Sequence, residues 1–424
     1  MRAEDLDLFY LPMEEAAFAA DPFFYLVAAR KRHPWLARCA FGYVVHQYQA
    51  MHDLMWVEGK MSTGYDTVVD AMAAHDTRWG AWTARHLAAS MGGVHKRLRE
   101  VLAPSFTPRR ANESRPLMRK VISEVLQEWA PRGKFDFEEA ASYFPITVMC
   151  TMIGAPASAV PELRQSLEAL GLSASMKRDH LPALEAAFVQ VEDFSQALVA
   201  ARRGGARLRP ERDMLDDLIA ATDSGGMSDR ELYDLLVFLF VAGYDTSKNV
   251  LTYTMNALMA RPEIYERCGR DWEYAGKLTE ETLRFFNPGT IPRLTSQPIS
   301  YEGVTIPAGV GLFFPVSVAG RDPTVIENPN ALDPERVQVH RHMAFGRGPH
   351  ICLGQFVARA TIHEGLHLIP QWILSPRRAG PSEWRPFFGV WGIRGLPIEC
   401  TSVKSAGETT ADADAAVYQD RIMQ

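Results

Sequence analysis

The sequence predicts a mainly helical α+β fold with a long central helix and a small β-rich subdomain, and three observations lead there. Apolar residues recur at helical spacing through most of the chain up to Arg284. One apolar-rich run, from Ser228 to "ARPE", is long enough to cross a whole domain. Between Thr290 and Gly320 the period changes to two, as half-buried strands require.

The acidic, interrupted N-terminus "MRAEDLDLFYLPMEEAAFAADPFF" lacks a positive segment followed by an apolar stretch, so it does not read as a leader or anchor. Residues 72–93, "MAAHDTRWGAWTARHLAASMGG", mix small residues with two tryptophans and read as a mobile loop or short helix. "HKRLREVLAPSF", "RPLMRKVISEVLQEWA" and "LPALEAAFVQVEDFSQALVAARR" follow with helical spacing.

The long run opens on a capping box, Ser228 with Glu231, and spans about thirty residues, roughly 45–50 Å at 1.5 Å each. Its stretch "LLVFLFVA" is apolar on every face, which places the helix at the centre. "AGYDTSKN" follows at once. A buried aspartate costs several kcal/mol unless paired or hydrated, and Gly243 weakens a helix by about 1 kcal/mol against alanine. Either the helix kinks around a satisfied acid, or the flaw has a use.

The strand region "LTSQPISYEGVTIPAGVGLFFPVSV" carries "YEG" and "PAG" as turns. A Pro- and Asn-rich meander, "RDPTVIENPNALDPERV", leads to "FGRGPHICLG", residues 345–354. Three glycines and a proline in ten residues describe a loop built to one shape. Its cysteine is open to three readings: packing, metal ligand or nucleophile. The organisation expected is one domain over residues 1–402, β-rich near 290–320, with a polar tail at 403–424.

Composition narrows the function. The chain has 424 residues, 47% apolar and 23% charged, with net charge −6. That balance, without a long basic run, argues against nucleic-acid binding. Five scattered cysteines without a C-x-x-C pair argue against a disulfide framework or zinc ribbon and for a reducing compartment. No window approaches a spanning helix. A soluble, cytoplasmic monomer without a membrane anchor is expected.

Two local patterns compete. "HEGLH", residues 363–367, matches the H-E-x-x-H arrangement in which two histidines hold zinc and Glu364 acts as base, although no third ligand follows. "EETLRFFNP" puts Glu281 and Arg284 on one helical face, alone no more than a weak ion pair.

Taken in order, a helix broken by "AGYDT", then "ETLR", "DPER" and "FGRGPHICLG" entering a helix, the chain resembles the cytochrome P-450 family of haem-thiolate monooxygenases over residues 20–400. The resemblance implies haem b as cofactor, O2 as co-substrate and Cys352 as the thiolate ligand of the iron, its anion favoured by loop N–H groups and a helix N-terminus. Phe345 is implied to shield the sulfur, with Gly348 and Gly354 giving close backbone approach. His95, Arg99, Arg293 and His350 are implied to bind the haem propionates. Glu281, Arg284 and Arg336 are implied to form a structural triad. Ala242 and Gly243 are implied to let the long helix pass over the porphyrin, with Thr246 as a hydrogen-bonding alcohol beside the iron and Asp245 relaying protons from solvent.

The implied substrate is a hydrophobic small molecule, held among Trp79, Trp82, Leu87, Met91, Leu170, Leu172, Phe238, Val241, Gly289, Thr290, Ile291, Val390 and Trp391. Electrons are implied to come from NAD(P)H through a separate ferredoxin and its reductase. The docking cations are Arg341, Arg347, Lys96, Arg97, Arg109 and Arg110. Hydroxylation or epoxidation is the implied reaction. The alternatives are oxidative coupling or desaturation by the same iron and, from other classes, a haem sensor without turnover or the zinc hydrolase. Three positions depart from the family pattern, Gly320, Ser247 and Thr361, and none is implied to touch iron.

Overall fold

The computed structural model describes residues 1–337, 339 and 342–402; the tail 403–424 and Arg341 lie outside the described residues. Helices α1 (Ala16–Ala20) and α2 (Pro22–Arg32) open the chain, followed by α3 (Tyr48–Leu54), α4 (Tyr65–Met72), α5 (Arg78–Thr83) and α6 (Gly92–Leu102). Next come α7 (Pro108–Glu113), α8 (Arg115–Trp129), α9 (Phe137–Ile153), α10 (Val160–Leu170), α11 (Leu181–Arg203) and α12 (Met214–Asp223). The central helix is α13 (Asp229–Leu258). After it stand α14 (Pro262–Arg270), α15 (Trp272–Phe285), α16 (Val316–Ala319) and α17 (Gln355–Trp372).

Helix α13 is thirty residues long and unbroken. Its capping box closes in both directions: Glu231 N–H donates to Ser228 Oγ at 3.2 Å, and Ser228 N–H to Glu231 Oε2 at 2.8 Å. It packs against α9, α10, α11 and α17, burying Leu232, Leu236, Val237, Phe240 and Tyr244 completely. Each such apolar side chain contributes about 1.5–3 kcal/mol by leaving water, so the helix fixes the frame.

The β content is wider than the expected 290–320. Strands β1 (Leu36–Cys39), β2 (Gly42–Val45) and β3 (Met61–Ser62) come from the N-terminal quarter and β4 (Lys134–Asp136) precedes α9. Strands β5 (Thr290–Thr295), β6 (Ile299–Tyr301), β7 (Val304–Ile306) and β8 (Gly311–Pro315) form the predicted stretch, whose last residues wind into α16. Strands β9 (Ile373–Arg378), β10 (Glu383–Trp384), β11 (Ile393–Arg394) and β12 (Pro397–Ser402) end the described chain. The main sheet runs β1-β2-β8-β5-β3, with β2 parallel to β8. That parallel pair brings Gly42, at φ +141°, against the carbonyl of Gly311, where no Cβ fits.

Of the two readings of residues 72–93, the short helix is found, as α5. Thr77 caps α5 by accepting from Gly80 N–H at 2.9 Å, and Trp79 and Trp82 are both buried.

Candidate active site

The cysteine loop owes its shape to two glycines. Gly346 and Gly348 sit at φ +68° and +74°, the left-handed region that side chains avoid. An added Cβ at Gly348 would meet Trp56 at 3.0 Å. The loop then folds back, with Cys352 N–H donating to Phe345 C=O at 2.9 Å. Gly354 has an ordinary φ of −78° and precedes α17, with nothing within 4 Å of an added Cβ. Its backbone bond and the charges of Arg99 and Arg359 pull the Cys352 thiol down, but burial outweighs them and pushes it up. Yet the Cys352 side chain is exposed. A thiol both desolvated by surrounding protein and accessible opens onto an internal space, not the outer surface. Half-buried Phe345 lies beside it under the Arg359 guanidinium, 4.4 Å from the ring centre.

Helix α13 is bare where it should be sealed. Tyr244, Asp245, Ser247 and Lys248 are buried, while Ala242 and Thr246, one turn apart, are exposed and Phe238, a turn earlier, is half-buried. A stripe exposed at the middle of a central helix also faces an internal space. Thr246 Oγ donates to the Ala242 carbonyl at 3.2 Å, which leaves its lone pairs free to accept. The missing Cβ of Gly243 makes room for Met149 Cε of α9.

Asp245 is not open to solvent, contrary to expectation. Its Oδ1 accepts from Arg385 Nη1 at 2.5 Å and Asn249 Nδ2 at 2.9 Å, with Lys248 Nζ at 3.1 Å, while Oδ2 is buried without a partner. Lys248, fully buried, also meets Glu138 and Glu168 at 2.6 Å each. Burial pushes the Glu168 carboxyl up, but Lys248 and Arg385 pull it down to about 2. Gly171, just past α10, lies so close that a Cβ would strike Asp245 Oδ2 and Arg385 Nη2. The acid therefore belongs to a buried ion network pinning α10 to α13.

Four cationic or protonatable groups gather without an acid among the described residues. His95 and His350 have ring centres 4.1 Å apart, and Trp56 lies between His350, at 5.1 Å, and the Arg293 guanidinium, at 5.4 Å. Arg293 is buried and, among the described residues, donates only to the carbonyls of Met55, at 3.1 Å, and Pro292, at 2.8 Å. Arg99, a turn beyond His95, has no ion-pair partner among the described residues. Burial, then His95, Arg293 and Arg99, push the His350 ring down to about 3; burial pushes Arg293 down to about 10. Burying cations without counter-charge is costly. The donor set fits a ligand carrying two carboxylates, as haem does. Tyr65, which the sequence reading missed, lies near enough to shift Arg293 electrostatically.

The triad residues meet. Arg284 grips Glu281 through Nε at 2.7 Å and Nη2 at 2.6 Å, and Arg336 Nε reaches the same carboxylate at 3.3 Å. Gly320 is required beside them, since a Cβ there would strike the Arg284 carbonyl. The zinc pattern comes apart: His363 bonds the Trp272 carbonyl, His367 that of Cys268, and Glu364 pairs with Arg115 at 2.7 Å and Arg119 at 2.8 Å. Among the described residues no group of three or more side chains could hold a metal ion.

Of the expected pocket residues, Phe238, Val241, Leu172, Gly289, Thr290, Ile291 and Val390 are half-buried and Met91 is exposed. Trp82 and Leu87 are nearly sealed. Three do not line an open space: Trp79 and Leu170 are close-packed, and Trp391 donates its indole N–H to the Ala19 carbonyl at 2.9 Å within an aromatic cluster. Among the docking cations, Arg97 is tied to Glu231 at 2.5 Å and the Gly226 carbonyl at 2.7 Å, so it is no free surface charge. Arg109 and Arg110 share Glu113. Lys96 is exposed, 4.0 Å from Glu100, and Arg347 is half-buried.

Comparison with known proteins fits this geometry. Residues 42–371 match the family model described as "Cytochrome P450". The chain is 29% identical over 377 residues to luteothin monooxygenase of Streptomyces thioluteus, covering 88% of this chain and 91% of the relative. It is 30% identical to pentalenic acid synthase of Streptomyces avermitilis, covering 72% and 75%. Among solved structures, P450BioI in complex with an acyl carrier protein bearing hexadec-9Z-enoic acid superposes at TM-score 0.81, with 22% identity and coverage of 91% and 100%. No described helix is long and apolar enough to cross a membrane.

Proposed function

The chain belongs to the cytochrome P450 family of haem-dependent monooxygenases, and from that premise we propose that it hydroxylates or epoxidises a hydrophobic small molecule, drawing electrons from a separate ferredoxin and reductase. The observation that carries this reading is Cys352, desolvated yet accessible, near two arginines, Arg99 and Arg293, and two histidines, His95 and His350, that no carboxylate pairs with among the described residues. Haem b bound there supplies the activation of O2, by which one oxygen atom enters a C–H or C=C bond and the other leaves as water with two electrons from NAD(P)H.

The chain's own residues do the rest. Cys352 would hold the iron; burial pushes its thiol up, while the Gly354 N–H, Arg99 and Arg359 favour the anion that a metal ion at sulfur would stabilise. Phe345 keeps water from the sulfur. His95, Arg99, Arg293 and His350, with Tyr65 beside them, take the two propionates. Thr246 presents an accepting hydroxyl on the bare stripe and holds a water there in register. Asp245 delivers protons only when Arg385 releases it, through the unpartnered Oδ2. Residues 1–402 act as a single haem domain, and Lys96, Arg109, Arg110 and Arg347 steer an acidic electron carrier.

The test is a ligand screen by the haem spin-state shift, followed by turnover of the hits with ferredoxin, reductase and 18O2. One labelled atom per product molecule is expected. Substrate-dependent NAD(P)H use giving unlabelled, coupled or desaturated product would replace insertion by the alternative chemistry.

A further inference from the structure

His86 sits where the bare stripe of α13 meets the cation cluster. Its ring stacks on Phe238, centroids 5.3 Å apart and planes 23° apart; it lies edge-on to Tyr65 at 4.6 Å and against Trp82 at 4.7 Å. Phe238 precedes Ala242 and Thr246 by one and two turns and so shares their face. Tyr65 in turn feels the charge of Arg293. Three aromatic rings therefore fix this imidazole between the helix stripe and the propionate cations.

Its hydrogen bonding fixes the tautomer. Nδ1 accepts the Ala89 N–H at 3.3 Å, so it carries no proton, and in the neutral ring the proton is on Nε2. Burial pushes the ring down to about 3, which keeps it neutral under physiological conditions. Nε2 has no hydrogen-bond partner among the described residues. Both ring nitrogens of His46 are shut in without partners; Nε2 of His86, in a residue 4% exposed, is not among the side-chain atoms so shut in. A donor held in position, fixed in tautomer and left without an acceptor is set up to meet one from a ligand.

We propose that His86 orients the substrate by donating its Nε2–H to a neutral oxygen acceptor, such as a ketone carbonyl, on an otherwise apolar molecule. The assignment rests on the reading of this site as one that oxygenates a hydrophobic small molecule, and it narrows that class. A molecule offering only donors gains nothing from an Nε2–H. A hydrocarbon leaves the donor unsatisfied. A ketone satisfies it and is turned by it.

The experiment is equilibrium binding to the haem-loaded protein, read by the spin-state shift and by calorimetry, with three matched pairs: benzophenone and diphenylmethane, fluorenone and fluorene, tetralone and tetralin. The wild type is expected to bind the ketone of at least one pair about fivefold more tightly than its hydrocarbon, the worth of one net hydrogen bond. In His86→Phe, which keeps a ring on Phe238, that preference falls to unity through weaker ketone binding, with the hydrocarbon unchanged. His86→Gln retains a side-chain N–H and keeps part of the preference. Equal affinities within every pair in the wild type, or a preference that survives in His86→Phe, overturn the role of His86 and leave the proposed function standing. If none of the six compounds binds the wild type, this assignment fails and the proposed function is left to its own ligand screen. If His86→Phe does not take up haem, the wild-type ratio and His86→Gln decide.

Discussion

Asp245 and Arg385, 140 residues apart in sequence, form a buried ion pair at 2.5 Å that ties the middle of α13 to the C-terminal β-rich segment. Lys248 and Glu168 complete the network, and Gly171 leaves the room it needs. Removing one partner of a buried pair strands the other charge. Arg385→Leu is therefore expected to cost about 3 kcal/mol in urea unfolding, with Arg385→Lys intermediate. A loss below about 0.5 kcal/mol, typical of a surface pair, would mean that Asp245 is not held as described.

Arg99 leads to a prediction of opposite signs. Without haem it is a half-buried cation lacking a carboxylate, so Arg99→Met should leave the apoprotein as stable or up to about 1 kcal/mol more stable. With haem bound, the same change removes a propionate partner and should speed haem loss to apomyoglobin roughly tenfold. Equal effects on both forms would count against propionate binding.

Acid stability follows from Glu280 and Glu168. His342, at 3.0 Å, and Arg359, at 2.7 Å, overcome burial and hold the Glu280 carboxyl down at about 2, as Lys248 and Arg385 hold Glu168. A carboxylate lowered in the folded state stabilises it fully above the unfolded value near 4.5, and that contribution disappears as pH falls toward 2. Stability should thus fall steeply between about pH 4.5 and 2. Glu280→Gln should flatten that slope while lowering stability at pH 7; an unchanged slope in denaturant titrations at stepped pH would refute the assignment.

Thr246→Ala leaves the bare stripe without its hydroxyl. Haem uptake and ligand affinity should stay near wild type, while product formed per NAD(P)H consumed falls about tenfold, the electrons going to peroxide and water. Thr246→Ser should recover most of the coupling. Tight coupling in the alanine variant would remove the hydroxyl from the proton path.

Much of this frame was legible because it is local. The Ser228 box, the length of α13 and the Glu281–Arg284 spacing are all set within four residues or by one period. The strands β1 and β2 escaped notice because four residues are too few to show alternation, and it is pairing with β8 that makes them strands. The packing role of Gly243 was not legible, since a missing Cβ does not say which neighbour uses the room; Met149 does. Tyr65, His86 and Arg385 carry no motif. Their meaning comes from rings and charges brought together across the fold, as with His86 on Phe238 and Arg385 on Asp245.

The most direct measurement is the absorbance of the reduced, carbon-monoxide-bound protein for the wild type and Cys352→Ser. The wild type should show the red-shifted Soret band of a thiolate-ligated haem, and the serine variant should lose both that band and substrate oxygenation. A serine variant that keeps both would show that Cys352 does not hold the iron.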